Sequence, residues 1–215
     1  MIICLEGLIG AGKSTLGKAL VSSLRNHGYD AIYYPEYVNL PLLKQYLGDM
    51  KRYAYPFQVI MLHQRFAIYR AAALYCGEDD RRIAIIDRGF DGDYAFANMQ
   101  YQEGNISEDE WNIYLEIVTE QQRMISWTQL TIYLQCDLTT CLRRISHRNR
   151  SGESSYTRDY LSRLEKAYLT SLRRTPHLVI NNDEELTGSF LETVIETVER
   201  EGGPLSMIGE MITVR

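Results

Sequence analysis

The sequence predicts a three-layer α/β fold, a five-stranded parallel sheet with helices on both faces. Short apolar runs alternate with longer amphipathic stretches along the whole chain, and strands separated by helical segments close into a parallel sheet covered on both sides. No repeat, low-complexity tract or linker divides the 215 residues, so 1–215 reads as a single domain, long enough to bury a sizeable core.

The first strand is expected at 2–6, followed by a glycine loop and a helix closing near Gly28. A second strand falls at 31–34, and Phe57, Ile60, Met61 and Ile68 carry helical spacing from Pro56 to Tyr75. The third strand, 83–86, stops at Asp87-Arg88-Gly89. A long helix is read over 108–127, where Ser107 and Glu110 form a capping-box signature. The fourth strand is 130–134, and the fifth, after Pro176, is 177–180. Gly202-Gly203-Pro204 breaks the pattern, and the tail at about 202–215 is left unassigned.

The net charge of −5 offers no excess of cations for phosphate neutralisation, which argues against nucleic-acid or anionic-membrane partners. Cys4, Cys76, Cys136 and Cys141 show no metal or redox spacing and read as reduced core residues. No signal or transit segment is evident and no apolar run nears the roughly 20 residues of a membrane span, so a cytoplasmic protein is expected.

Gly7-Leu8-Ile9-Gly10-Ala11-Gly12-Lys13-Ser14 fits G-x-x-x-x-G-K-[ST] without mismatch, between a strand and a helix. Glycines let successive backbone N–H groups turn inward around a phosphate, and the helix N-terminus adds unpaired donors. Lys13 is expected to reach the β- and γ-phosphates of ATP, and the Ser14 hydroxyl to ligate Mg²⁺. Asp87 and Arg88 sit where a parallel strand opens into the ligand crevice. A carboxylate there holds Mg²⁺ directly or through water, or caps a helix. Glu36 takes the equivalent place after the second strand and could accept a proton from an attacking hydroxyl; alone it reads as a solvated loop acid. Arg143, Arg144, Arg148 and Arg150 follow the fourth strand, either as a clamp on a transferring phosphoryl group or as a solvated helix end. The polar stretch 150–155 could close as a lid.

Taken in order, Glu6 through Thr15, Pro35-Glu36, Phe57-Gln58, Asp87-Arg88 with Asp93, and Arg144 through Glu153 resemble the deoxynucleoside kinase family, from Ile2 to about Asp183. The resemblance implies a P-loop kinase fold with a short arginine-bearing lid at about 144–155. It implies ATP-dependent phosphorylation of a deoxynucleoside 5′-hydroxyl, with Glu36 as base, Asp87 supporting Mg²⁺ and Arg88 holding the 5′-oxygen region. Gly7, Gly10, Ala11, Gly12, Lys13, Ser14 and Thr15 would bind the donor phosphates. Arg144, Arg148 and Arg150 would be lid arginines, and Glu153 would accept the sugar 3′-hydroxyl. Asp183, in Asn181-Asn182-Asp183, would belong to the adenine loop.

Gln58 would pair with the base edge, while Arg65 and Asp93 match the charged pair of deoxycytidine and purine kinases. Deoxyadenosine, deoxyguanosine or deoxycytidine is therefore expected over thymidine. The family also implies a homodimer. Three positions depart from its pattern: Gly89 replaces a usual serine, which would loosen that turn; Leu47 falls where a sugar-binding tyrosine is usual, with Tyr46 beside it; and Met61 is bulky. A nucleoside-monophosphate kinase and a non-catalytic nucleotide-binding subunit are the alternatives.

Overall fold

A computed structural model describes residues 1–125, 129–149, 153–173, 177–183, 188–201 and 212–214. The five expected strands all form, each one or two residues longer than its apolar run: β1 (Ile2–Gly7), β2 (Asp30–Tyr34), β3 (Arg82–Asp87), β4 (Gln129–Gln135) and β5 (His177–Asn181). A sixth short strand, β6 (Ile212–Val214), arises in the unassigned tail and pairs in parallel with β5, Leu178 opposite Ile212. The sheet order is β2-β3-β1-β4-β5-β6, parallel throughout. The chain steps from β1 out to β2, returns through β3, and then crosses to β4 on the other side of β1. That reversal opens a crevice at the carboxyl end of β1, where ligands of such sheets bind.

Strand β1 is buried along its whole length, as expected for a strand covered on both faces. Its side chains alternate between two cores. Ile3 and Leu5 join Ile83, Ile85, Leu16, Leu20 and Leu161 on one face. Ile2 and Cys4 join Ala84, Ile86, Leu62 and Tyr69 on the other. The helices are α1 (Lys13–Asn26), α2 (Leu40–Gly48), α3 (Met50–Cys76), α4 (Phe90–Gln102), α5 (Glu108–Arg123), α6 (Leu138–Arg148), α7 (Arg158–Leu172) and α8 (Gly188–Glu201).

Three helix boundaries differ from the sequence reading, each for a local reason. Helix α3 begins at Met50 and carries Pro56 inside it, because the Asp49 carboxylate accepts the Arg52 N–H at 3.1 Å and caps the earlier start. Helix α2 was not foreseen; Asn39 caps it through the Leu42 N–H at 3.1 Å, with proline in its first turn. Helix α5 has the full Ser107–Glu110 capping box but ends at Arg123, where N–H groups of Met124 and Ile125 turn back to Gln121 and Gln122. Residue 127, the expected end, lies outside the described residues. All four cysteines are free and buried.

Candidate active site

A cavity of about 900 Å³ opens at the carboxyl end of the sheet, with the glycine loop at one end and α3 at the other. At the loop end, Gly7, Gly10 and Gly12 all have positive φ (142°, 83° and 99°), a region where a side chain would strain the backbone. A Cβ at Gly10 would lie 2.5 Å from the Cys141 carbonyl oxygen, so a larger residue cannot fit without shifting α6. Gly12 leads into α1 without a side-chain cap, which leaves the first N–H groups of the helix open to an anion. Lys13 Nζ donates to the carbonyls of Gly7 and Leu8, both at 3.0 Å, and so lies folded along the loop. Burial, together with the neighbouring Arg88 charge, brings its ammonium down to about 8. Ser14 and Thr15 are exposed to the cavity.

Asp87 ends β3 beside this loop and is 4% exposed. Its Oδ2 accepts from Ser14 Oγ at 2.7 Å and from the Tyr33 hydroxyl at 2.6 Å. Its Oδ1 is buried with no hydrogen-bond partner. Buried carboxylate oxygens are normally satisfied, so an orphan at the cavity wall marks a place for something the protein alone does not supply.

Arg88 follows at φ 73°, an uncommon conformation for a residue with a side chain. The strain is offset by its contacts: Nε donates to Glu36 Oε1 at 2.9 Å and Nη1 to the Gly7 carbonyl at 3.2 Å. The guanidinium also bonds the Tyr168 hydroxyl and lies 4.8 Å above the Phe96 ring. Beneath it, the fully buried Glu6 accepts the Gly89 and Gly92 N–H groups at 2.8 and 3.0 Å and the Tyr168 hydroxyl at 3.1 Å. The turn is therefore tight, not loosened by the glycine at 89. A Cβ there would sit 2.5 Å from both Cys4 Sγ and the Tyr69 hydroxyl, so this packing has no room for the usual serine.

Glu36 projects from the loop after β2. Arg65 Nη1 and Nη2 both reach its Oε1 at 3.3 Å, opposite Arg88. Burial alone would raise this carboxyl, but Arg88, Arg65 and Lys13 outweigh it and hold Glu36 at about 2. Arg65 Nε in turn donates to Asp93 Oδ1 at 2.5 Å, and Tyr114 donates to Asp93 Oδ2 at 2.8 Å. Asp93 is fully buried; burial raises its carboxyl while Arg65 and Tyr114 oppose the rise. Gln58 lines the same end, 1% exposed, with its Nε2 unpartnered.

The other expected residues divide. Tyr46 is 1% exposed, lines the cavity, stacks on Phe57 at 4.7 Å and shares its hydroxyl with Tyr160 at 3.2 Å. The chain breaks between α2 and α3 at Asp49, and Tyr46, not Leu47, lines the cavity. Arg144 Nη1 reaches the Ala11 carbonyl at 3.3 Å. Arg148 forms a two-point pair with Glu153, at 2.6 and 3.0 Å, so the expected lid arginine and the expected sugar acceptor meet each other at the cavity wall. Arg150 lies outside the described residues. Asp183 turns to the Asp137 N–H, while its neighbour Asn182 lines the cavity and donates to the Ala11 carbonyl at 2.6 Å. Asn182, within the expected adenine loop, lines the cavity, whereas sequence reasoning passed over Tyr33, Tyr156 and Tyr160, which line it too. The tyrosines carried no local signal.

Comparison with known proteins points one way. The family model described as deoxynucleoside kinase matches residues 3–201. A putative kinase of Invertebrate iridescent virus 3 is 31% identical over 203 residues, covering 93% of this chain and 96% of that protein. A deoxyguanosine kinase of Dictyostelium discoideum is 34% identical over 167 residues, 78% of this chain, which span 57% of that longer protein. A solved structure of deoxyadenosine kinase from M. mycoides with bound dATP superposes with a TM-score of 0.73 at 26% identity, over 93% of this chain and all of that one.

Proposed function

This chain belongs to the deoxynucleoside kinase family and is a kinase, and we propose that it transfers the γ-phosphoryl group of ATP to the 5′-hydroxyl of a deoxynucleoside, favouring deoxyadenosine, deoxyguanosine or deoxycytidine over thymidine. The observation that carries this reading is the continuity of one cavity from the phosphate loop to Gln58, with Glu36 between two arginines along its wall.

In this reading the donor phosphates lie on Gly7, Gly10, Ala11, Gly12, Lys13, Ser14 and Thr15, and Arg144 closes over them. Glu36, kept ionised by its arginines, takes the proton of the 5′-hydroxyl as the new P–O bond forms. Arg88 steadies the charge at the point of transfer. The Gln58 amide, with its Nε2 unpartnered, is suited to a base edge, since it offers donor and acceptor side by side. The fixed Arg65–Asp93 pair supports a base bearing an exocyclic amine or a purine edge, and crowds the methyl group of thymine. Tyr46 and Glu153 reach the sugar. The orphan Asp87 Oδ1 and the exposed Ser14 hydroxyl fit Mg²⁺, which would screen the β- and γ-phosphate charges when bound. Two of the relatives are named deoxyguanosine kinase and deoxyadenosine kinase, both within this substrate range.

A homodimer belongs to the same reading. Ile60 and Leu74, two heptads apart on α3, and Ile113 on α5 expose apolar side chains, which a partner helix could cover. Among the described residues no helix is long and apolar enough to cross a membrane, in keeping with a cytoplasmic site of action.

Incubation with γ-labelled ATP and each of the four deoxynucleosides, or each of their 5′-monophosphates, tests the proposal. Label should enter deoxyadenosine, deoxyguanosine or deoxycytidine as the 5′-monophosphate. Faster transfer to the monophosphates would instead make it a nucleoside-monophosphate kinase, and ATP binding without transfer would make it a non-catalytic nucleotide-binding subunit.

A further inference from the structure

Tyr33 lies in no motif, yet its hydroxyl is 2.6 Å from Asp87 Oδ2, the oxygen that also accepts from Ser14 at 2.7 Å. With two donors, Oδ2 is occupied, and Oδ1 of the same carboxylate is left buried and unpartnered at the cavity. The Tyr33 ring is itself anchored. It lies against bare backbone at Gly17 on α1, where an added Cβ would come within 2.4 Å of the ring edge. Register on β2 places Tyr33 opposite Ile85, two residues before Asp87 on the neighbouring strand. A phenol hydroxyl this close to a carboxylate oxygen donates its proton to it.

We infer that Tyr33 is a positioning residue for the cation of the donor nucleotide: by holding Oδ2 it fixes the rotation of the Asp87 carboxylate and reserves Oδ1 for the metal ion or a water bound to it. The inference rests on the Mg²⁺·ATP reading above. A tyrosine that merely fills the wall would act through its ring, and phenylalanine would replace it without effect. A tyrosine that positions Asp87 acts through its oxygen.

The test compares wild type with Tyr33→Phe, which keeps the ring, and Gly17→Ala, which pushes the ring away. For each, the affinity of a non-hydrolysable ATP analogue is measured with Mn²⁺ and without metal, and the paramagnetic resonance spectrum of bound Mn²⁺ is recorded. Loss of one hydrogen bond to a charged group predicts that Tyr33→Phe reduces the Mn²⁺-dependent gain in analogue affinity by about three- to tenfold. It should alter the Mn²⁺ line shape and leave metal-free affinity within about twofold, as expected when only the metal side is touched. Gly17→Ala should shift the gain in the same direction. An unchanged gain and spectrum in Tyr33→Phe would overturn the inference while leaving ATP-dependent transfer intact. If wild type itself shows no gain from Mn²⁺, the metal reading falls with it.

Discussion

At the loop end of the cavity, the proposed donor site is one consecutive stretch, Gly7 to Ser14, whose three glycines hold the backbone at positive φ. At the acceptor end, Glu36 comes from the loop after β2, Gln58 and Arg65 from α3, Arg88 from the turn after β3, and Asp93 from α4. There the work falls to side chains, locked by ion pairs at 2.5 to 3.3 Å. The contrast teaches that one end depends on backbone shape, which a single Cβ can spoil, and the other on a balance of buried charge, which a single lost partner can upset. Arg88 is the joint between them, since one guanidinium touches both Glu36 and the Gly7 carbonyl.

The strongest way to break the contrast is therefore Arg88→Ala. Turnover is expected to fall about 10³-fold, and denaturant unfolding should show a loss of up to about 3 kcal/mol as the partly buried Glu36 loses one of its two arginines. ATP should bind more weakly as well. If ATP affinity in this variant equals that of wild type, Arg88 does not join the two ends.

A smaller and one-sided effect is expected for Gly12→Ala. The new Cβ would fall 2.4 Å from Asn182 Nδ2 at a φ of 99°, so ATP affinity by calorimetry should drop about tenfold. The KM for the deoxynucleoside should hold. An equal rise in both constants would mean that the strain spreads past the loop.

The smallest effect separates the ends by pH. Lys13 titrates at about 8 and only above that pH must regain a proton to meet a phosphate, so ATP affinity should decline as pH rises through 8, by at most about tenfold per unit. Buffers of different ionisation heat should reveal proton uptake on binding. Glu36 behaves oppositely. Its folded value of about 2 lies below the ordinary 4.5, so the stability it contributes is present above about 4.5 and is lost as pH falls toward 2. Between pH 5 and 7, kcat/KM should then show no acid limb from this group; a limb near pH 6 abolished by Glu36→Gln would contradict the charge balance described.

The same contrast explains what the sequence could disclose. The donor loop is contiguous, and its glycines, lysine and serine occupy fixed offsets, so the chain alone located it. The strands were legible because buried parallel strands contain short, continuous apolar runs, as in 2–5 and 83–86. Helix α2 escaped because its apolar stripe is brief and its start rests on one asparagine side chain. At the acceptor end, resemblance to a family named the residues, but their mutual arrangement comes from contacts across dozens of positions. Arg65 bridging Glu36 and Asp93, and Glu6 pinning Gly89, join residues that no local pattern relates. The tightness of the turn at Gly89 was likewise invisible, because its neighbours Cys4 and Tyr69 belong to other elements.

The separation of the two ends is tested most directly by measuring ATP affinity and turnover on one preparation of Glu36→Gln. The amide keeps the shape but cannot take a proton, so turnover should fall by about 10²- to 10⁴-fold while ATP affinity stays within about threefold of wild type. Turnover near the wild-type rate would remove Glu36 from the role of base, and a loss of ATP affinity matching the loss of turnover would show that the two ends are one.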